Sequence, residues 1–505
     1  MEASYTDYVS SLAFRNPSLN ILSDFLRHQP RKPSDSHVSF IEIEKTGSAG
    51  PPQESNTNQL MTRVDSGLNN RIIAVVENIH PDDIEVLGAS LDIDPFFFCG
   101  HIASSYADIE HTPAPPLLAL PPSQIVSKPF LNIHYQKVLD LGDESSVGHV
   151  PYKLALPANV PRNIRRLPAL SGRSIGLRRA CTSLIKKDLS SDVWICLILV
   201  DPAPDVVRPA SSTSHVLHSK IPQIPRRIAV EDFRDLPTYA EFKGSNGSQN
   251  IQPLSPREEI LSFFHDSSPG WNAGNPSILS LAYHPIQSVI REWILYGLLM
   301  GRYIKYYEYS FKSAPTRLEH FEKNDIIDLH RWRRRSLQSL HKLQTVRRFV
   351  EYWMPKEQTL YQHEVTPKVS SSSQELPSWN LLIADLKYSE EQIDQHARSL
   401  EALNPIITSL VQLIDSHKSI SQAEDIRRLT YIAMACVPLS LIAGVFSMSE
   451  PYGPGNDQFW VYWVTALPTA AFIMGFLWLD SRIPDFLRFG FWAQMKKRVR
   501  VSSPV

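Results

Sequence analysis

Two apolar runs near the C-terminus constrain this chain more than any other feature. Leu429 to Met448 is 20 residues long and Phe459 to Leu479 is 21, and neither contains Asp, Glu, Lys, Arg or His. A helix of that length crosses about 30 Å of hydrocarbon, whereas the eight apolar residues Val193–Val200 cannot. The ten-residue connector Ser449–Gln458 is too short to hold a domain, so the pair reads as a tight transmembrane hairpin with both long flanks on one side. Charge selects the side. Arg427 and Arg428 precede the first run, Lys496, Lys497, Arg498 and Arg500 follow the second, and the connector has neither Lys nor Arg. Both termini are therefore expected in the cytosol, with residues 459–479 as the second span, 449–458 as an outer loop and 480–505 as a basic cytosolic tail. Trp460, Tyr462 and Trp463 at one end of the second span and Trp478 at the other suit the two interfacial belts.

The rest of the chain reads as water-soluble. Its formal charge of −1 gives no bulk attraction to nucleic acid, and none is expected as a partner. Residues 1–66 are polar and broken by Pro, Ser and Asn, a composition that buries too little apolar surface to offset ordering entropy; a disordered N-terminal tail is expected. It has no apolar segment of the kind that marks a secretory signal. Residues 67–260 read as an α/β domain with Pro/Ser-rich loops. Arg71–Val76 is a short β-branched run, His80-Pro81-Asp82-Asp83 is a helix start, and Asp94-Pro95 is another. Phe130–Leu141 alternates as a strand, and Cys181–Lys187 with Val193–Val200 suits a hairpin whose second strand is buried on both faces. Residues 270–403 carry helical spacing, with a linker at Val365–Pro377. Within them the basic run Arg331, Arg333, Arg334, Arg335, Lys342, Arg347 and Arg348 is interleaved with Trp332, Leu337, Leu340 and Leu343, as on the wet face of an amphipathic helix. Residues 404–448 continue as a stalk and first span, with Asn404-Pro405 as a kink or a fresh helix start.

Catalytic motifs are missing: no GxxxxGK[ST], GxSxG, HExxH or CxxC occurs, and no enzyme is expected. Four scattered cysteines make neither a disulfide framework nor a zinc set; Cys99 with His101 supplies only two ligands, and His417 stands alone. The remaining candidate site lies on the first span. At 100° per residue, Ala433, Val437, Ser440, Gly444 and Ser447 fall within about 80° of one another, while Tyr431, Leu439, Ile442 and Phe446 point elsewhere. Such a stripe of small residues serves either close helix packing or, in several copies, a pore wall. Two helices per chain cannot enclose an aqueous path, so conduction demands an oligomer.

The segment LTYIAMACVPLSLIAGVFSMS, Leu429 to Ser449, resembles the first membrane helix of the CorA-like divalent metal ion transporters, in particular a fungal CorA-like branch also similar to the zinc transporter ZntB. The resemblance covers the last 80 or so residues well and the long helix and α/β part more loosely. It implies a cytosolic α/β funnel domain, a long stalk helix and a C-terminal two-helix transmembrane hairpin, assembled as a homopentamer in the lipid bilayer. It also implies that the first helix lines the pore and that a Gly-Met-Asn motif sits at its outer mouth. Carried over residue by residue, Ser447 stands at the Gly, Met448 at the Met and Ser449 at the Asn, a variant of the motif. Pore and selectivity residues would then be Ala433, Val437, Ser440, Gly444, Ser447, Met448 and Ser449, with Glu450 and Asp457 as acidic rings of the outer loop. The expected function is transport of a divalent cation of the Mg²⁺ or Zn²⁺ kind, with no cofactor beyond the transported ion and with the plasma membrane preferred over an organelle. The alternative is a non-conducting, membrane-anchored sensor or scaffold of the same fold.

Overall fold

The computed structural model describes residues 4–28, 36–44, 48–66, 71–103, 120–147, 153–156, 158–190, 193–203, 206–209, 219–220, 239–244, 255–265, 276–312, 323–364, 379–448 and 457–482. The chain divides into two compact units, Met1–Leu403 and Asn404–Val505.

The first unit is built on a mixed sheet of ten strands. At its centre β3 (Arg71–Glu77) runs parallel to β8 (Trp194–Val200), and every residue of both strands is buried. Apart from Arg71 and Glu77 at the two ends of β3, these are continuous apolar runs, as a strand covered on both faces requires. Beside β3 lie β1 (His37–Ile43) and then the short β2 (Gln53–Ser55), both antiparallel to their neighbours. Beside β8 lies β7 (Arg173–Asp188), with Asp188 opposite Trp194 and Thr182 opposite Val200, the hairpin expected from the sequence. One edge of β7 is taken by β4 (Phe130–Asp143) along its length, with a bulge between Asp140 and Gly142, where Gly142 adopts φ 104°. Its other edge is shared by β8 and β6 (Asn163–Arg166); β5 (Lys153–Ala155), β9 (Val206–Pro209) and β10 (Ser219–Lys220) complete the order β10-β9-β5-β6-β7-β8-β3-β1-β2.

Helices α1 (Tyr5–Arg15), α2 (Asn20–His28), α3 (Thr57–Asp65), α4 (Pro81–Leu91) and α5 (Pro95–Ile102) cover one face. Their starts follow the sequence signals. His80 caps α4 in a reciprocal capping box with Asp83, and the Asp94 carboxylate accepts from the Phe96 N–H at the head of α5. Where a disordered tail is expected over residues 1–66, the described residues 4–28, 36–44 and 48–66 instead carry helices and strands. Val9, Leu22 and Leu60 are fully buried, and Phe40 lies in the same core as Ile72, Val76 and Leu199. Composition misjudged this segment because a few well-placed apolar residues, once joined to a sheet edge, bury enough surface to offset the entropy of ordering.

Short helices α6 (Pro122–Ser127), α7 (Glu144–Val147), α8 (Tyr239–Gly244) and α9 (Pro256–His265) lead to α10 (Ile278–Lys312) and α11 (Lys323–Glu364), which both pack on β4. The helical region expected over 270–403 thus shares a unit with the sheet. Trp293, Tyr296, Tyr303 and Trp332 form a buried aromatic seam between α10 and α11. Helix α12 (Trp379–Ser447) contributes its residues up to Leu403 to this unit. Gly297 and Gly301, one turn apart on α10, admit Gln392 and His396, one turn apart on α12. Of the basic run on α11, Arg331 pairs with Asp328, Arg333 with Glu401, and Arg347 with Glu351 and Glu390. Lys342 differs: burial, with Arg179 and Arg162 nearby, draws its ammonium down to about 8. The expected linker at Val365–Pro377 lies outside the described residues, as does most of the Pro/Ser-rich connector between β8 and α9.

Candidate functional site

The second unit consists, among the described residues, of α12 from Asn404 onward, a turn at Asp457–Phe459 and α13 (Trp460–Arg482). The helix runs through Pro405, so the fresh-start reading of Asn404-Pro405 is not what forms. Lys418–Ser447 is the one described segment both long and apolar enough to cross a membrane, and its apolar window is exposed in the protomer. Tyr431 near its start holds Arg427, whose guanidinium donates to the phenol oxygen and lies 5.4 Å over the ring.

The two sides of this helix differ. Tyr431, Pro438, Leu439, Ile442 and Phe446 are half-buried, and at 100° per residue they share one face. At its end Phe446 meets Tyr462 edge-on, ring centroids 6.1 Å apart, and Tyr462 is stacked in turn on Phe459. On α13 Ala466, one turn beyond Tyr462, is buried. The small-residue stripe is centred roughly 180° away from that face. Ala433, Val437, Ser440, Gly444 and Ser447 are all exposed, and nothing lies within 4 Å of a Cβ placed on Gly444. Both sequence readings of the stripe, close helix packing and a pore wall, therefore concern contacts other than the one Phe446 makes with Tyr462.

The chemistry of the stripe is that of an acceptor surface. Ser440 donates its hydroxyl to the Val437 carbonyl at 2.9 Å, which satisfies the O–H within the helix and leaves oxygen lone pairs facing outward. Pro438 has no N–H, so the helical bond to the Met434 carbonyl is missing, but that oxygen lies toward the half-buried face and is not part of the stripe. Met448, at the end of the helix, is 89% exposed. Asp457 is exposed in the turn before α13, and Ser449 and Glu450 lie outside the described residues. The structure thus brings Ala433, Val437, Ser440, Gly444, Ser447 and Met448 onto or beside one exposed surface. Periodicity located that surface, but no sequence signal pointed to Tyr462 as the partner of Phe446 on the other side.

Metal chemistry elsewhere finds no geometry. Among the described residues no group of three or more His, Cys, Asp or Glu is placed to hold an ion. Cys99 donates to the Ser18 carbonyl, and burial pushes its thiol up to about 12; His101 instead bonds Ser183 at 2.9 Å. The side chain of His417 is not among those described.

Residues 293–480, from within α10 to within α13, match the family model described as CorA-like Mg²⁺ transporter protein. Among solved structures, the CorA magnesium transporter from Methanocaldococcus jannaschii aligns over 90% of this chain and 99% of its own, with 10% identity and a TM-score of 0.35. The full-length CmaX protein aligns over the same shares with 12% identity and a TM-score of 0.31. No curated protein matches the chain by sequence.

Proposed function

We propose that this chain is a membrane transporter for divalent cations of the CorA type. The carrying observation is that the small-residue stripe of the CorA-like segment faces away from α13 and is open in the protomer. A surface carrying the hydroxyls of Ser440 and Ser447, facing an aqueous path between copies, is suited to a hydrated cation, whose water hydrogens point outward and seek acceptors. The protein is a homo-oligomer, a pentamer by resemblance, in which Ala433, Val437, Ser440, Gly444 and Ser447 of each copy line the path. α12 and α13 form the two spans and both termini lie in the cytosol. Met448 and Ser449 stand at the outer mouth, and Glu450 and Asp457 form acidic rings that concentrate cations there. No reaction is catalysed; the ion is cargo. With hydroxyls at Ser447 and Ser449 in place of Gly and Asn, the mouth holds ions through water and discriminates weakly between Mg²⁺ and softer ions such as Zn²⁺.

That same variant motif favours one other reading, a non-conducting sensor or scaffold that keeps the assembly. Reconstitution separates them. Vesicles containing folded oligomer should take up Mg²⁺ or Zn²⁺ faster than empty vesicles, and absence of uptake of either ion leaves the scaffold as the function.

A further inference from the structure

We propose that the first unit contains a buried binding site for one small anion of the halide class, held by Arg162 and Arg178 beside Asp201. The two guanidiniums come from distant parts of the chain, Arg162 from the loop before β6 and Arg178 from within β7. They are 0% and 2% exposed and share a single buried carboxylate at the end of β8. Arg162 donates from Nε to both Asp201 oxygens at 2.9 Å and from Nη2 to the His101 carbonyl at 2.8 Å. Asp201 also accepts from the Cys181 N–H at 2.9 Å. Arg178 donates from Nη1 to the Pro202 carbonyl at 2.7 Å, and its Nη2 stands 4.0 Å from Asp201, beyond hydrogen-bond reach.

Donors outnumber acceptors here. Arg162 Nη1 and Arg178 Nε and Nη2 are buried with no protein partner. A buried charged N–H left unmade costs more than a neutral one, and native interiors fill such positions with water or an ion. Charge decides between the two. Two permanent cations face one carboxylate, because the other nearby acid, Glu77, is engaged by Arg257 at 3.5 Å and by the Ala203 N–H. Burial alone would raise the Asp201 carboxyl, but Arg162 and Arg178 hold it below its ordinary value, so it is already fully ionised at neutral pH and has no further charge to give. The remaining neighbours add no negative charge. His101 is kept neutral by burial and by Arg162, Tyr135 is held protonated by burial, and Arg179 and Lys342 carry the same sign as the guanidiniums. A buried excess of positive charge is strongly unfavourable unless paired, and a small anion supplies the pairing that water cannot.

The full-length protein in detergent tests this directly. Exchange from gluconate to bromide at constant ionic strength should raise the melting temperature by roughly 2–4 °C, and bromide-soaked crystals should give an anomalous peak in contact with Arg162 Nη1 or Arg178 Nη2. Arg178→Met, similar in length and without charge, should abolish the bromide-dependent shift. Should that variant fail to fold, Lys342→Met removes a neighbouring like charge and should weaken the shift while leaving the peak in place. A wild-type protein that melts identically in gluconate and bromide, with no anomalous peak at either guanidinium, holds water there and overturns the proposal.

Discussion

Gly88→Ala sets two physical effects against each other, and the structure says which wins. Gly88 lies inside α4, where helix propensity alone favours Ala by about 1 kcal/mol. Yet a Cβ at this position would sit 2.5 Å from Cε1 and Cζ of Tyr5, an impossible approach. The ring must leave. Tyr5 is 6% exposed, its hydroxyl donates to the Ile93 carbonyl at 2.6 Å, and its backbone N–H donates to Glu85 at 2.8 Å, beside a second bond from Thr6. Losing a buried aromatic costs on the order of 3–5 kcal/mol, so after the propensity gain the variant should be destabilised by about 2–4 kcal/mol. The loss should appear as faster amide exchange over α1 and α2 and as earlier proteolysis within residues 5–28. Tyr5→Ala added to Gly88→Ala should cost little more, because the ring is already displaced. A variant that melts higher than wild type with α1 still protected would refute the docking, and with it the claim that this segment belongs to the fold.

Gly444→Leu should leave the protomer folded, since no atom crowds that position, but should abolish the oligomer by native mass measurement or block uptake where copies crowd. An oligomer that still conducts would remove the stripe from the pore. Restoring the motif by Ser447→Gly with Ser449→Asn should raise Mg²⁺ uptake relative to Zn²⁺ several-fold in vesicles; an unchanged ratio places selectivity elsewhere. His101 is held at about 3 by burial and then by Arg162, so below about pH 6.5 the unfolded chain takes up a proton that the folded chain refuses. Its contribution is intact above pH 6.5 and is lost as pH falls toward 3, on the order of 2 kcal/mol by pH 5. His101→Asn should make that acid limb shallower in a denaturant series, with His134 and His284, also lowered by burial, carrying the remainder; an equally steep slope would show that His101 does not titrate there.

The sequence by itself determined what depends on near neighbours. The apolar runs, the helix starts at His80 and Asp94, the doubly buried strand Trp194–Val200 and the stripe from Ala433 to Ser447 are all patterns over a few turns or one strand, and such patterns act locally. Tertiary structure decided three other things. It folded residues 5–28, 37–44 and 48–65 against the sheet, because Tyr5, Val9 and Leu22 gain burial only where Gly88 and α5 leave room for them. It brought Arg162, Arg178 and Asp201 together from separate strands and loops, a convergence that no spacing along the chain encodes. And it chose which side of the apolar helix α13 covers. Periodicity defines faces, but only the fit of Phe446 against Tyr462 assigns one face to the hairpin and leaves the stripe of small residues on the other side exposed.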